Sequence, residues 1–207
     1  MPSTNRHHRH SIRLRGYDYT QPGAYFVTIC AHQREPLFGE VVDGEMRLNE
    51  FGEIVREEWF RTAEIRPNVE LFDDEFVVMP NHIHGIIWIV DDTVGATRRV
   101  APTTRRVAPT RGPVPGSIGA IIGQFKSIVT KHINALRGTP GTPIWQRNYW
   151  EHIIRNEHAL NAIRQYICDN PARWSLDRYN PHAVGPDPMA QEIGAMLLCE
   201  EGGGGKP

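Results

Sequence analysis

Two histidines separated by one residue, His82 and His84, lie in the segment MPNHIHG at positions 79–85. On a β-strand, residues two apart point to the same face, so both imidazoles project together while Ile83 points away. Two imidazoles at this spacing can share one divalent cation. Gly85 carries no side chain, which would leave room for a ligand to approach the backbone. A structural histidine pair without a ligand is the alternative interpretation.

A tyrosine and an amide form a second candidate pair, in the segment RQYICDNP at positions 164–171. On a helix, Tyr166 and Asn170 are four residues apart and lie on the same side, one turn from each other. The phenol could act as a nucleophile and the amide oxygen as a further metal ligand. The structural alternative is a tyrosine at the edge of the core and Asn170 as a helix C-cap.

The elements that must position these side chains follow from hydrophobic patterning and turn chemistry. Their order is β, α, β, β, α, β with a further helix afterwards. This order predicts an α+β, ferredoxin-like (RRM-like) antiparallel sheet with both helices on one face, plus an extra C-terminal helix that carries the tyrosine. The opposite face of the sheet is expected to be open for a ligand. The predicted strands are 24–30, 69–80, 82–90 and 143–155, a hairpin turns at Asp43-Gly44, and helices start at Asn49, Ser117 and Asn156.

The composition favours one packed domain. The chain has 207 residues, 40% of them hydrophobic, and three cysteines without C-x-x-C spacing. An odd number of separated cysteines indicates a reducing compartment. No apolar run approaches the length of a membrane span and the N-terminus has no apolar signal-peptide region, so we expect a soluble cytoplasmic protein, associated with the nucleoid if its partner is DNA.

Positive charge is concentrated in two segments. Residues 1–16 carry four arginines and no acid, and residues 93–137 carry eight lysines and arginines and no acid, whereas 34–92 hold fifteen acids against five arginines. Such segregation favours a polyanionic partner, with solvated loops as the alternative. The heptapeptide TRRVAPT occurs twice in tandem, at 97–103 and 104–110. We therefore predict a basic N-terminal arm at 1–22, a domain at 23–175 with a flexible basic linker at 91–117, and a tail at 176–207 with a short peripheral helix.

Several separated motifs together resemble one known family. They are MPNHIHG at 79–85, WQRNYWEHIIR at 145–155 and YICDNP at 166–171, with RGYDY at 15–19 and GAYFVTIC at 23–30. In this order they resemble the single-tyrosine HUH transposases, and most closely the subgroup of REP-associated tyrosine transposases. The resemblance runs from about residue 11 to residue 175.

The resemblance implies metal-dependent cleavage and strand transfer of single-stranded DNA, and hence DNA transposition. His82 and His84 would hold Mg²⁺ or Mn²⁺, with Asn170 as the matching third ligand. Tyr166 would attack the phosphorus and form a 5′-phosphotyrosine link, so no nucleotide cofactor is needed. These roles are chemically consistent. A phenol with a pKa near ~10 is a weak nucleophile at neutral pH, and a cation at the phosphate would stabilise the negative charge that its attack adds.

The partner implied is single-stranded or hairpin DNA, typically a repeated extragenic palindrome in this subgroup. We expect Lys126, Arg13, Arg15 and Arg147 to contact it. A homodimer is also possible in such a family, and a swapped tyrosine helix would place the nucleophile in the partner's site. Tyr149 is a rival nucleophile, although its position between two tryptophans favours packing.

Two other classes of function remain open. The first is a non-catalytic nucleic-acid-binding module whose sheet displays Tyr25, Trp88 and basic residues to single strands or hairpins. The second is a small metal hydrolase that uses the histidine pair and a water nucleophile. The sequence shows no evident acidic ligand near the pair for the second class.

Overall fold

The computed structural model describes residues 17–91 and 113–202. Most of the predicted N-terminal arm and basic linker lies outside these residues, as do Arg13 and Arg15. The strands are β1 (Gly23–Cys30), β2 (Gly39–Val42), β3 (Glu45–Leu48), β4 (Val69–Glu70), β5 (Phe76–Met79), β6 (His82–Ile89) and β7 (Trp150–Ile154), and the helices are α1 (Glu50–Ile65), α2 (Ile118–Leu136), α3 (Glu157–Asp169) and α4 (Pro188–Gly202).

The central sheet is antiparallel throughout. Its strands lie in the order β4, β6, β1, β7, and β5 pairs with the other end of β6 on the same side as β4. Strands β2 and β3 form a separate hairpin. Helices α1 and α2 pack against each other and against one face of the sheet. The predicted α+β, ferredoxin-like arrangement is confirmed.

Local sequence signals account for the start of each core helix. Asn49 accepts hydrogen bonds from the backbone N–H groups of residues 51 and 52 and caps α1, and Ser117 and Asn156 cap α2 and α3 in the same way. Each cap satisfies N–H groups that have no partner inside the helix. At the hairpin, Asp43 and Gly44 adopt φ angles of 53° and 80°, the left-handed values that a tight hairpin turn requires.

Helix α2 buries the apolar positions predicted for it. Ile118, Ile121, Ile122, Phe125, Val129 and Ile133 are all buried, while Lys126 and Lys131 lie off this face. The helix is therefore amphipathic, as a helix packed on one side is expected to be. None of the described helices is both long and apolar enough to cross a membrane.

The strand predicted over 69–80 is divided in two. Only Val69–Glu70 and Phe76–Met79 are strands, and a short 3-10 turn at Asp73–Glu75 separates them. The turn directs the fully buried Glu75 carboxylate inward, where it accepts hydrogen bonds from Arg164 and from the Trp88 indole. A continuous strand would not place that carboxylate between β6 and α3.

The strand predicted over 143–155 is also shorter than expected. Pairing with β1 covers β7 alone, and before it only an isolated bridge joins Trp145 to Ala31. Ile144 and Trp145 are nevertheless buried in the core on the side of α1 and α2. Their apolar character therefore reflects burial in a loop rather than membership of a strand.

The second face of the sheet is covered, which corrects the expectation of an open face. Helices α3 and α4 pack on it, and Phe26 and Ile86 of the sheet share a core with apolar side chains of both helices. Ile193 and Leu197 of α4 are buried in that core, so the C-terminal helix is not peripheral. Tyr25 is fully buried against the opposite helices and is not displayed for base stacking, as the nucleic-acid-binding alternative assumed.

Candidate active site

The histidine pair faces α3. Along β6 the side chains alternate, so that His82, His84 and Ile86 point to the side of α3 while Ile83 and Ile87 enter the core beneath α1 and α2. His82 is fully buried and His84 almost so. Their Nε2 atoms lie 3.0 Å apart. The prediction that both imidazoles project to one side is confirmed.

Polar neighbours fix the orientation of both rings. His82 Nδ1 lies 2.9 Å from Oδ1 of Asn81, and His84 Nδ1 lies 2.8 Å from Oγ1 of Thr28. An amide oxygen only accepts, so Nδ1 of His82 carries the hydrogen and Nε2 carries the lone pair. The Thr28 hydroxyl can accept the equivalent hydrogen bond from His84. This assignment directs two lone pairs at each other, which is favourable only with a proton or a cation between them.

An aspartate completes a cluster that could hold a metal ion. Oδ2 of Asp177 lies 3.7 Å from Nε2 of His82, and the ligand atoms of His82, His84 and Asp177 all lie within 4.8 Å of one another. Oδ1 of Asp177 accepts a hydrogen bond from the backbone N–H of Tyr179, which holds the carboxylate in place. Asp177 was not predicted from the sequence, and it supplies the acidic group that the histidine pair lacked there.

Tyr166 and Asn170 approach the same cluster from α3. The Tyr166 hydroxyl lies 3.3 Å from Nε2 of His84, and its ring packs edge-on against that imidazole. The Asn170 side chain hydrogen-bonds to the phenol. Its Oδ1 is buried and has no hydrogen-bond partner among the residues that the structure describes. Asn170 is also the C-cap of α3, so the structural role open to it is present as well.

Burial dominates the protonation of the site. It lowers the pKa of His84 to about 3 and that of His82 well below its usual range, with the neighbouring His84 and Arg34 adding to the latter shift. Burial likewise raises the pKa of Asp177 to about 6 and raises that of Tyr166 above its usual range. Both imidazoles are therefore neutral near pH 7, the form that binds a metal.

Lys126 and Arg147 make no contact with the cluster of His82, His84 and Asp177 among the contacts of the described residues. The Lys126 ammonium donates to the backbone carbonyls of Gln146 and Arg147, at 2.6 and 3.1 Å. Burial lowers its pKa to about 8. Arg147 is exposed. Contact of either residue with DNA stays a prediction.

Gly85 leaves no room for a ligand, contrary to expectation. A Cβ atom added there would lie 2.4 Å from Cζ2 of Trp59, on the side of α1. The Trp59 indole occupies this space and stacks on Phe76 with ring centroids 4.6 Å apart. The glycine therefore admits a tryptophan of the core rather than a ligand.

Comparison with known proteins places the fold. No protein-family model matches the chain. A solved REP-associated tyrosine transposase, bound to a REP hairpin, superposes over 78% of this chain and 73% of its own with a TM-score of 0.52 and 21% identity. A putative transposase from Deinococcus radiodurans covers 76% of this chain and 95% of its own, with a TM-score of only 0.40 and 17% identity. The chain thus shares the fold of that REP-associated tyrosine transposase.

A relative with higher identity is known from sequence. An uncharacterized protein of Haemophilus influenzae is 40% identical over 172 residues, which make up 83% of this chain and 93% of that protein. The chain belongs to the family of that protein.

Proposed function

We propose that the protein cleaves and rejoins single-stranded DNA through a covalent bond to Tyr166, and so catalyses DNA transposition. The observation that carries this proposal is the phenol oxygen 3.3 Å from the imidazole of His84, which itself belongs to a buried cluster of potential metal ligands. The transposase bound to a REP hairpin suggests a hairpin-forming substrate. The likeness of fold supports the choice of this reaction over others that a tyrosine beside a metal site could perform.

The residues present fit a divalent cation. Two imidazole nitrogens face each other at 3.0 Å, a carboxylate oxygen lies 3.7 Å from one of them, and the Asn170 oxygen is buried without a described partner. We propose His82, His84, Asp177 and Asn170 as ligands of Mg²⁺ or Mn²⁺. When bound, such an ion would polarise the scissile phosphate and stabilise the added negative charge.

Tyr166 supplies the nucleophile. Its oxygen forms a bond to phosphorus, and the bond from phosphorus to the 3′-oxygen breaks, leaving a 5′-phosphotyrosine and a 3′-hydroxyl. The phenol loses its proton to solvent, and the leaving oxygen gains one. The hydrogen bond from Asn170 favours the phenolate and opposes the burial that raises the pKa of Tyr166. Attack by a 3′-hydroxyl on the phosphotyrosine reverses these steps and reseals a strand.

Access to the phenol requires a movement. Tyr166 is only 5% exposed, and it shares a core with Ile193 and Leu197 of α4. A DNA strand can reach the hydroxyl only when α4 shifts away from Tyr166. Part of the binding energy of the DNA must therefore offset the separation of these apolar side chains.

The test is a denaturing gel after incubation with Mg²⁺ or Mn²⁺ and a hairpin DNA with single-stranded flanks, labelled at its 3′ end. A 5′-phosphotyrosine retains the 3′ fragment, so the label should migrate with the protein. Tyr166→Phe and His82→Ala should give no labelled protein. Tyr149→Phe is the matched control. It also removes a phenol hydroxyl, but from a tyrosine packed against the core beneath α1 and α2, and this variant should form the adduct. An adduct in Tyr166→Phe would refute the proposal.

A metal hydrolase is the second candidate, because Asp177 provides an acidic ligand beside the histidine pair, as in hydrolase sites with two histidines and one carboxylate. It would use a water nucleophile and release free 5′-phosphate ends. Cleavage that persists in Tyr166→Phe without any labelled protein would establish the hydrolase instead.

A further inference from the structure

Two exposed arginines converge on one aromatic ring beside the candidate metal site. Arg34 follows β1, and Arg178 follows the short 3-10 helix after α3. Their guanidinium carbons lie 5.2 and 5.3 Å from the centre of the Tyr179 ring, within the range of cation–π contact. The Tyr179 ring packs against His82 with ring centroids 4.6 Å apart. One side chain therefore separates both guanidinium groups from a proposed metal ligand.

Neither guanidinium is neutralised by a salt bridge within residues 17–91 and 113–202. Two other arginines near the site are neutralised, because Arg164 pairs with the buried Glu75 and Arg173 pairs with the buried Asp187. An anion at this position would meet two charges that the described part of the chain leaves unpaired.

The backbone at Arg34 is held in an unfavourable conformation. Gln33 and Arg34 have φ angles of 55° and 59°, in the left-handed region that side chains with a Cβ disfavour. The Asn81 side chain donates to the carbonyl oxygens of Arg34 and Tyr179, at 3.1 and 2.7 Å, and accepts from His82. One buried amide thus ties the Arg34 loop, the Tyr179 segment and a metal-site histidine together. Conformations of this kind persist where surrounding contacts hold them, often at functional sites.

We propose that Arg34 and Arg178 form a clamp for the phosphodiester backbone of the strand next to the scissile phosphate. The guanidinium group matches a phosphate with two parallel hydrogen bonds. Tyr179 keeps both groups at a fixed distance from the cluster and so sets which phosphate they reach. The inference rests on the proposed function, because it assumes that the bound strand is the one cut at Tyr166.

The clamp is tested by binding without chemistry. Fluorescence anisotropy with a labelled hairpin and its single-stranded flank is measured in EDTA over a range of salt concentrations. Removing one arginine that binds a phosphate of a single strand lowers the slope of log K against log salt by about 0.7, which corresponds to about fivefold weaker binding at ~0.1 M salt. Arg34→Ala and Arg178→Ala should each show this change, and the double variant about twice the change in slope.

Two controls separate charge at this position from general effects. Arg56→Ala removes an exposed arginine of α1 that pairs with Asp73, and it should leave the slope unchanged. Arg34→Lys keeps the charge and should restore most of the slope. The proposal is overturned if both alanine variants bind with the slope of the wild type while the wild type forms the Tyr166 adduct; the proposed function then stands alone. A wild-type protein that binds no DNA overturns both.

Discussion

Acidification should destabilise the metal-free protein, because the two buried histidines cannot take up protons in the folded state. Burial lowers the pKa of His84 to about 3 and lowers that of His82 well below its usual range. In the unfolded chain both titrate near pH ~6.5. Below that pH the unfolded state binds more protons than the folded state, so the free energy of unfolding falls as the pH falls.

Asp177 acts in the opposite direction. Its pKa is raised to about 6 from 3.8, so between these values the folded state holds a proton that the unfolded chain has released. Two histidines against one aspartate leave a difference of about one proton between pH ~6 and ~4, a slope of about 1.4 kcal/mol per pH unit. From pH 7 to pH 5 the free energy of unfolding should fall by about 2–3 kcal/mol.

Urea denaturation in EDTA at a series of pH values measures this slope, and two substitutions change it in opposite senses. His84→Gln removes one histidine and should bring the slope between pH ~6 and ~4 close to zero, whereas Asp177→Asn removes the opposing group and should about double it. His182→Gln, at an exposed histidine, is the control and should leave the slope as it is. A slope in Asp177→Asn no steeper than that of the wild type would refute the reasoning.

Three further substitutions test the elements around the site by urea denaturation at neutral pH. Gly85→Ala should destabilise the fold by about 1–3 kcal/mol, because the new methyl group overlaps the Trp59 indole; unchanged stability would contradict this packing. Glu75→Gln should lower the free energy of unfolding by about 1.5–3 kcal/mol, because it removes the buried charge that pairs with Arg164, and a change within experimental error would argue against it. Asn49→Ala should lower it by about 1 kcal/mol, and Asn49→Asp, which keeps an acceptor oxygen, should lower it less.

Local chemistry made much of the fold predictable from the sequence. The Asp43-Gly44 hairpin and the caps at Asn49, Ser117 and Asn156 depend on residues within a few positions, and all are found where they were predicted. The alternation that turns His82 and His84 to one side is likewise a property of a single strand. The likeness of the chain's motifs to a known family supplied the link between these histidines and Tyr166.

Other features of the site depend on contacts between distant segments. Asp177 lies eleven positions after Tyr166, beyond a proline that ends α3, and only the path of the chain after that helix returns it to His82. Asn81 was interpreted only as a turn residue, because its bonds to Arg34 and Tyr179 span 47 and 98 positions. Gly85 was interpreted as leaving room for a ligand, because the sequence does not reveal that a tryptophan 26 positions earlier occupies that space.

The phenol and the two histidines proposed as metal ligands come together within one chain, since α3 packs on the sheet that carries the histidines. For the proposed reaction, the rate per molecule should then be independent of protein concentration, with no loss on dilution. Two inactive variants, Tyr166→Phe and His82→Ala, should not restore adduct formation when mixed, because neither can lend its intact half to the other. Adding an inactive variant to the wild type should likewise leave adduct formation by the wild type unchanged, because each molecule carries its own complete site.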